Sequence, residues 1–427
     1  MRIVYTLVFA LLLPLIVARL FWRSIRQSGY RQNIGERFGR YHQPPLKRCI
    51  WIHAVSVGEA RAAEPLIRRL QVRHPARRIL LTCMTPTGRA TALELFDNTV
   101  TCGYLPYDLD MLHQRLIGHF EPSVLLIMET EIWPNLLHAC RTRAIPALVV
   151  NARLSEKSAR GYARIAAVNM LVRQALQSVR AVAAQSDADA ERFRALGARN
   201  VVVMGNIKFD VALNAASTAL GENWRAGLRD RWVLLCASTR EGEEAVLLAA
   251  YAQVFDVHER NDTLLVVVPR HPQRFDQVAG DIGRAGLRLA RRSNGMADGD
   301  GPGRAEVLLG DSMGEMAAYY SFCDVAIIGG SFQPLGGQNL IEACAAGKPA
   351  VMGPSTFNFS MAAQLAEDAG AMLLVDGPLE AMRSARALLS NDARRKQMSE
   401  AGRRLVDANR GATEKTVALV EKTLGDD

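Results

Sequence analysis

The chain has 427 residues, 49% of them hydrophobic, which is enough for two or three fully packed domains. The formal net charge is +9 and the pI near 9.4, but aromatics make up 6% and no basic run is interleaved with them, which speaks against nucleic acid and for an anionic lipid surface. Cys49, Cys83, Cys102, Cys140, Cys236, Cys323 and Cys344 form no C-x-x-C, and the histidines form no H-E-x-x-H, so reduced core thiols are expected and no metal site is indicated.

In chain order, residues 3–18 (IVYTLVFALLLPLIVA) carry no charge and are followed by Arg19, Arg23, Arg26 and Arg31. At ~1.5 Å per residue this run reaches about 24 Å, short of a bilayer core of about 30 Å; extension to Trp22 with Arg19 snorkelling makes up the difference. No small-x-small cleavage site follows, so residues 1–22 are predicted to be a retained membrane anchor. The arginine cluster on its C-terminal flank predicts that the rest of the chain is cytoplasmic. Pro14 leaves open a kinked segment that dips into one leaflet. Residues 23–47 read as a basic, helix-like connector.

From residue 48 to 210 strands alternate with helices. Apolar runs occur at 50–55, 79–84, 124–128, 147–150, 182–184 and 201–204, with amphipathic patterns such as 61–72 and 89–96 between them. The pattern pauses over 211–231, a polar stretch read as a linker, and resumes at 232–237, 264–268, 307–309, 325–328, 350–352 and 372–375. This second unit is expected to run to 410, with a C-terminal helix over 411–427. The fold class is therefore α/β: two doubly wound parallel-sheet domains facing a cleft. The stretch NGMADGDGPG (294–303) opens no helix after a strand and reads as a surface loop.

Ligands of such sheets bind beyond the carboxyl ends of the strands, so chemistry is sought there. In the first unit the strand 50–55 leads to SVGE, placing Glu59 at a helix start, and 124–128 leads to ETEIWPN, where alternation sends Glu129 and Glu131 to one side unless the chain has already turned. Lys208 of GNIKFD follows the strand 201–204 in a chain with few lysines. In the second unit Arg270 and His271 follow 264–268, and Gly314-Glu315-Met316 is predicted to open a helix. Gly329-Gly330 stops the strand 325–328, and Gly347 is placed to end a predicted helix over 339–346 that carries Glu342. This set suits a nucleotide, with arginine on a phosphate, helix-terminal amides around it and Glu342 on a ribose diol.

HAVSVGE (53–59), METEIWPN (128–135), NARLSEKS (151–158), GNIKFD (205–210), PRHPQRF (269–275), GEM (314–316) and GGSFQPLGGQN–E (329–342) appear in order. Together they resemble the 3-deoxy-D-manno-octulosonic acid (Kdo) transferases of lipopolysaccharide synthesis. The resemblance implies a GT-B glycosyltransferase of two Rossmann-like domains, inverting, metal-independent and needing no cofactor. It implies transfer of Kdo from CMP-Kdo to the lipid A precursor (lipid IVA) at the cytoplasmic face of the inner membrane. On the matching positions it makes Glu59 the general base and Glu131 and Lys208 the charged groups of the transition state. Pro269, Arg270, Gly314, Glu315, Met316, Asn339, Leu340, Ile341 and Glu342 become the CMP site. Gln338 and Arg240 stand where the family often has His, and Ala343 where it has Pro; these departures bear on donor contacts. A nucleotide-sugar epimerase or a non-enzymatic membrane scaffold are the rival readings, separable by acceptor-dependent use of CMP-Kdo.

Overall fold

The computed structural model describes residues 1–211, 213–228, 231–295 and 304–425. The predicted surface loop 294–303 lies outside the described residues apart from Asn294 and Gly295. The chain forms two compact units, residues 1–210 with 409–427, and residues 211–408.

The first unit is built on a seven-stranded parallel sheet of order β3-β2-β1-β4-β5-β6-β7. Its strands are β1 (Cys49–His53), β2 (Ile79–Cys83), β3 (Thr101–Tyr104), β4 (Pro122–Met128), β5 (Ala147–Ala152), β6 (Ala181–Ala184) and β7 (Val201–Val203). Side chains of a strand alternate between faces, and here both faces are core. Cys49, Trp51, Leu125, Ile127 and Val149 enter one hydrophobic cluster, while Ile50, Ile52, Val124, Leu126 and Val150 enter the other. That is why the strands read as unbroken apolar runs. Strand β3 is not foreshadowed in the sequence, because TCGY is short and carries a glycine.

The second unit repeats the plan with β8 (Trp232–Thr239), β9 (Thr263–Pro269), β10 (Leu289–Arg291), β11 (Val307–Leu309), β12 (Val325–Ile328), β13 (Ala350–Met352) and β14 (Met372–Leu374). Their order is β10-β11-β9-β8-β12-β13-β14, all parallel. The edge strand β10 (LAR) escapes the sequence pattern because it is three half-buried residues long. In each sheet the chain winds outward from a central strand and returns on its other side. The switch points fall between β1 and β4 and between β8 and β12.

Four expectations are corrected. The connector 23–47 is no α-helix: the apolar helix runs on from Arg2 to Arg26, through Pro14, and two short 3-10 turns follow at Ser28–Arg31 and Ile34–Phe38. Asn33 (φ 53°) and Gly39 (φ 73°) adopt left-handed backbone that bars a longer helix. The stretch 211–231 is no linker, since Ala215–Gly227 is a helix of the second unit. It lies so close to the helix Met316–Phe322 that a Cβ on Gly221 would collide with the Ala318 carbonyl, and the Trp224 ring meets Tyr319 at a tilt and Phe322 edge-on, with centroids 5.3 and 5.9 Å apart. The C-terminal helix Ala412–Gly425 stands neither alone nor with the second unit. It returns to the first, where Val417 and Val420 enter the core and Arg73 pairs with Glu421 at 2.8 Å. The helix expected over 339–346 is reduced to Ile341–Ala345.

Candidate functional site

In the first unit the switch point gathers three carboxylates. Helix Val57–Arg73 starts four residues after β1, and Glu59 sits in its first turn. Its carboxylate folds back over that helix start, Oε2 accepting from the Val55 amide at 2.8 Å and Oε1 from the Ser56 hydroxyl at 3.1 Å. Burial pushes the Glu59 carboxyl up to about 7; the Val55 amide and Ser56 hydroxyl oppose this, and the charges of Glu129 and Glu131 add to it. Glu131 is also raised, by burial first and by the charge of Glu129, with the nearby Trp133 side chain opposing the rise.

The chain has already turned where alternation would have put Glu129 and Glu131 on one side. Glu129 leaves β4 in the left-handed region (φ 56°) while its amide donates to the Val150 carbonyl at 3.0 Å. Lys208 lies in a 3-10 turn, with its Nζ 3.3 Å from Glu129 Oε1, so the two form an ion pair. Asn206 accepts from the Lys208 amide at 3.0 Å, and Asn151, itself left-handed at the end of β5, accepts from the Ile207 amide at 3.1 Å. Two strained non-glycine residues at neighbouring strand ends hold the carboxylates and the lysine together. His53, which opens the same motif as Glu59, is fully buried with Nδ1 3.0 Å from the Thr82 carbonyl. Burial lowers its imidazole to about 3, so it is a neutral packing group.

In the second unit Asn339 orders its surroundings. Its Nδ2 donates to Glu342 Oε1 at 2.8 Å, and its Oδ1 accepts from the Ile341 amide at 3.1 Å, so Asn339 and Leu340 precede the short helix. Burial raises the Glu342 carboxyl, while Asn339 and the positive charge of Arg270 oppose the rise. Arg270 follows β9 with its amide on the Thr239 carbonyl at 2.9 Å. These three residues therefore come together beside β8 and β12. Pro269, Leu340 and Ile341 are buried. Gly314 (φ 80°) does not open a helix, which begins at Met316. Glu315 is engaged with Arg292 at 3.1 Å and with the Ser312 hydroxyl, and Met316 Sδ lies 3.9 Å from Ser238 Oγ.

The glycines around residue 330 exclude side chains chiefly because of the chain itself. A Cβ on Gly329 would lie 2.6 Å from Thr239 Cα, at the end of β8, and Gly336 (φ 83°) is pressed by Phe357 and Asn358. The residue that shapes this loop went unrecognised in the sequence. Glu243, fully buried, accepts from the amides of Arg240, Gly330 and Phe332 at 2.8, 2.6 and 2.9 Å. Its neighbour Glu244 receives Arg274 through both guanidinium nitrogens at 2.6 and 2.9 Å. The available signal was the acidic run EGEE, directly between β8 and an apolar helix. Among the described residues no group of three or more His, Cys, Asp or Glu is arranged to hold a metal ion.

The family description "3-Deoxy-D-manno-octulosonic-acid transferase (kdotransferase)" matches residues 32–211. The chain is 43% identical to the 3-deoxy-D-manno-octulosonic acid transferase of Bordetella pertussis, over 99% of this chain and 100% of that one. It is 34% identical to the enzyme of the same name from Haemophilus influenzae, over 99% of each. Among solved structures, Acinetobacter baumannii MurG superposes with a TM-score of 0.55 at 14% identity, over 88% of this chain and 99% of that one, a likeness of fold alone. Two parallel-sheet units of Rossmann type and full-length identity to named relatives lead to one conclusion: the chain belongs to the Kdo transferase family and is a glycosyltransferase.

Proposed function

We propose that this Kdo transferase takes its sugar from CMP-Kdo and joins it to a hydroxyl of the lipid A precursor (lipid IVA), with inversion and without a metal, at the cytoplasmic face of the inner membrane. The observation that carries this reading is the Glu59 carboxyl, raised to about 7 by burial and by two neighbouring carboxylates at a topological switch point. A group so tuned is half deprotonated near neutrality and strong enough to take a proton from an alcohol.

In the proposed step the acceptor hydroxyl gives its proton to Glu59 as its oxygen bonds to the anomeric carbon. The bond from that carbon to the phosphate oxygen breaks, and its electron pair leaves with CMP. A single displacement of this kind inverts the anomeric centre. The leaving group is a phosphate monoester, and Arg270 would neutralise its charge. Glu342, held by Asn339, suits the ribose diol of the cytidine. Lys208 suits the sugar carboxylate or the departing phosphate, and Glu131 supports the cationic carbon of an oxocarbenium-like transition state. The apolar helix Arg2–Arg26 is long enough to attach the chain to a bilayer, where an acylated acceptor lies.

The test is incubation of the purified protein with CMP-Kdo, with and without lipid IVA. CMP release that depends on the lipid, with a lipid product heavier by Kdo, is expected. Release of CMP without lipid modification would reject the proposal.

A further inference from the structure

We propose that the apolar helix Arg2–Arg26 does not cross the bilayer but lies in the plane of its surface, latched at both ends to the first unit, with an anionic membrane as the occupant of its exposed face. The inference rests on the membrane reading above and adds the placement of the helix.

The helix has two distinct faces. Ile3, Leu7, Leu11, Leu15, Trp22 and Ile25 are each 63–79% exposed and recur at helical spacing along its whole length. The opposite stripe, Tyr5, Phe9, Leu13, Ile16, Leu20 and Ser24, is half-buried or buried. A spanning helix has no reason to lay one continuous half-buried stripe against a folded unit. One that rests on that unit and faces lipid does.

Both ends are tied to the same unit. At the start, the Tyr5 hydroxyl donates to Asp108 Oδ2 at 2.8 Å, and Arg2 and Thr6 donate to Asn135 Oδ1 at 3.0 Å each. Those acceptors belong to the folded interior. Asp108 is 1% exposed, pairs with the buried His113 at 2.9 Å and accepts from the Leu136 amide at 2.9 Å, and Asn135 is fully buried. Past the other end, Gly29 approaches Pro86 so closely that an added Cβ would lie 3.0 Å from its ring, and Arg37 donates to the Met84 carbonyl at 2.9 Å. Twenty-five residues span about 37 Å, more than a bilayer core. To cross, the helix would have to break the Asp108 and Asn135 bonds and carry its first turn to the far side.

The anchor points share one edge of the sheet. Pro86 follows β2, Asp108 follows β3 and Asn135 follows β4, so all lie beyond carboxyl ends, as do Glu59 and Glu131. The latch therefore sets the lipid-facing stripe and the carboxylates on the same edge. Charge agrees with a lipid headgroup layer. A hollow of about 620 Å³ beside the start of the helix is lined by Arg2, His138, Arg141 and Arg199, and Arg19 and Arg23 stand near the other end.

Topology decides the matter. An epitope tag with a protease site, placed ahead of Met1 in the full chain, should be cut in inside-out inner-membrane vesicles and protected in spheroplasts. Cleavage in spheroplasts would leave membrane attachment standing and overturn the in-plane placement. Recovery of the whole chain in the soluble fraction would remove the membrane reading and this inference with it. Independently, Leu7→Glu with Leu11→Glu should weaken binding to phosphatidylglycerol-containing vesicles by about tenfold or more, with the circular dichroism spectrum unchanged. Unaltered vesicle binding would show that this face does not meet lipid.

Discussion

Glu59 combines burial, an amide donor and two like charges in one carboxyl, and each of these leaves a measurable trace. As the proposed base it must be ionised, so kcat/KM should rise about tenfold per pH unit below about 7 and level off above it. In Glu59→Gln transfer should fall roughly 10²–10⁴-fold and lose that limb, while calorimetric CMP binding is unchanged. Stability follows with the opposite sense. A carboxyl raised from 4.5 to about 7 costs nothing below its unfolded value, and its cost grows as pH climbs to about 7, reaching no more than roughly 3 kcal/mol. Glu59→Gln should therefore melt higher than the parent at pH 8 and not at pH 4.5, by scanning calorimetry. Arg270→Ala is expected to weaken CMP binding about tenfold or more, through loss of the proposed charge-assisted phosphate contact. At this scale the sequence showed where to look more than how residues pair. SVGE and METE mark Glu59 and Glu131, but the partnership of Lys208 with Glu129 depends on a left-handed turn that no residue type there announces.

Elements with both faces buried announce themselves, and those at edges do not. The central strands β1, β4, β8, β9 and β12 stand out as apolar runs, while TCGY and LAR carry too little apolar surface to be seen. The helix Ala215–Gly227 was obscured by polar residues, since its contact face is made by Gly221 and Trp224 and not by an aliphatic stripe. The loop after β12 is where backbone meets backbone. Gly329→Ala would drive a methyl into Thr239 and should cost about 1–3 kcal/mol, with an accompanying loss of CMP affinity by calorimetry. Glu243→Ala should do comparable or greater damage, because three amides, that of Gly330 buried, lose their acceptor together.

At the level of the molecule, one architectural idea is used twice, and twofold alternation of strand and helix made that legible. The boundaries were less so, because a chain crossing leaves no compositional mark when both sides are helical. Asp210, the last residue of the first stretch, accepts from the amides of Gly411 and Thr413 at 2.6 and 2.5 Å and so caps the returning helix. Asp210→Ala should cost about 0.5–2 kcal/mol and speed proteolytic clipping after residue 410, leaving the melting of the second unit unchanged.

That returning helix has a consequence for biosynthesis. Residues 211–408 precede Val417 and Val420 in the chain, so the second unit is fully translated before the first receives these two residues of its core. The half translated first is thus the last to be finished, and its apolar flank stays open until the returning helix is made. A nascent chain of this design has reason to reach a membrane or a chaperone before its translation ends.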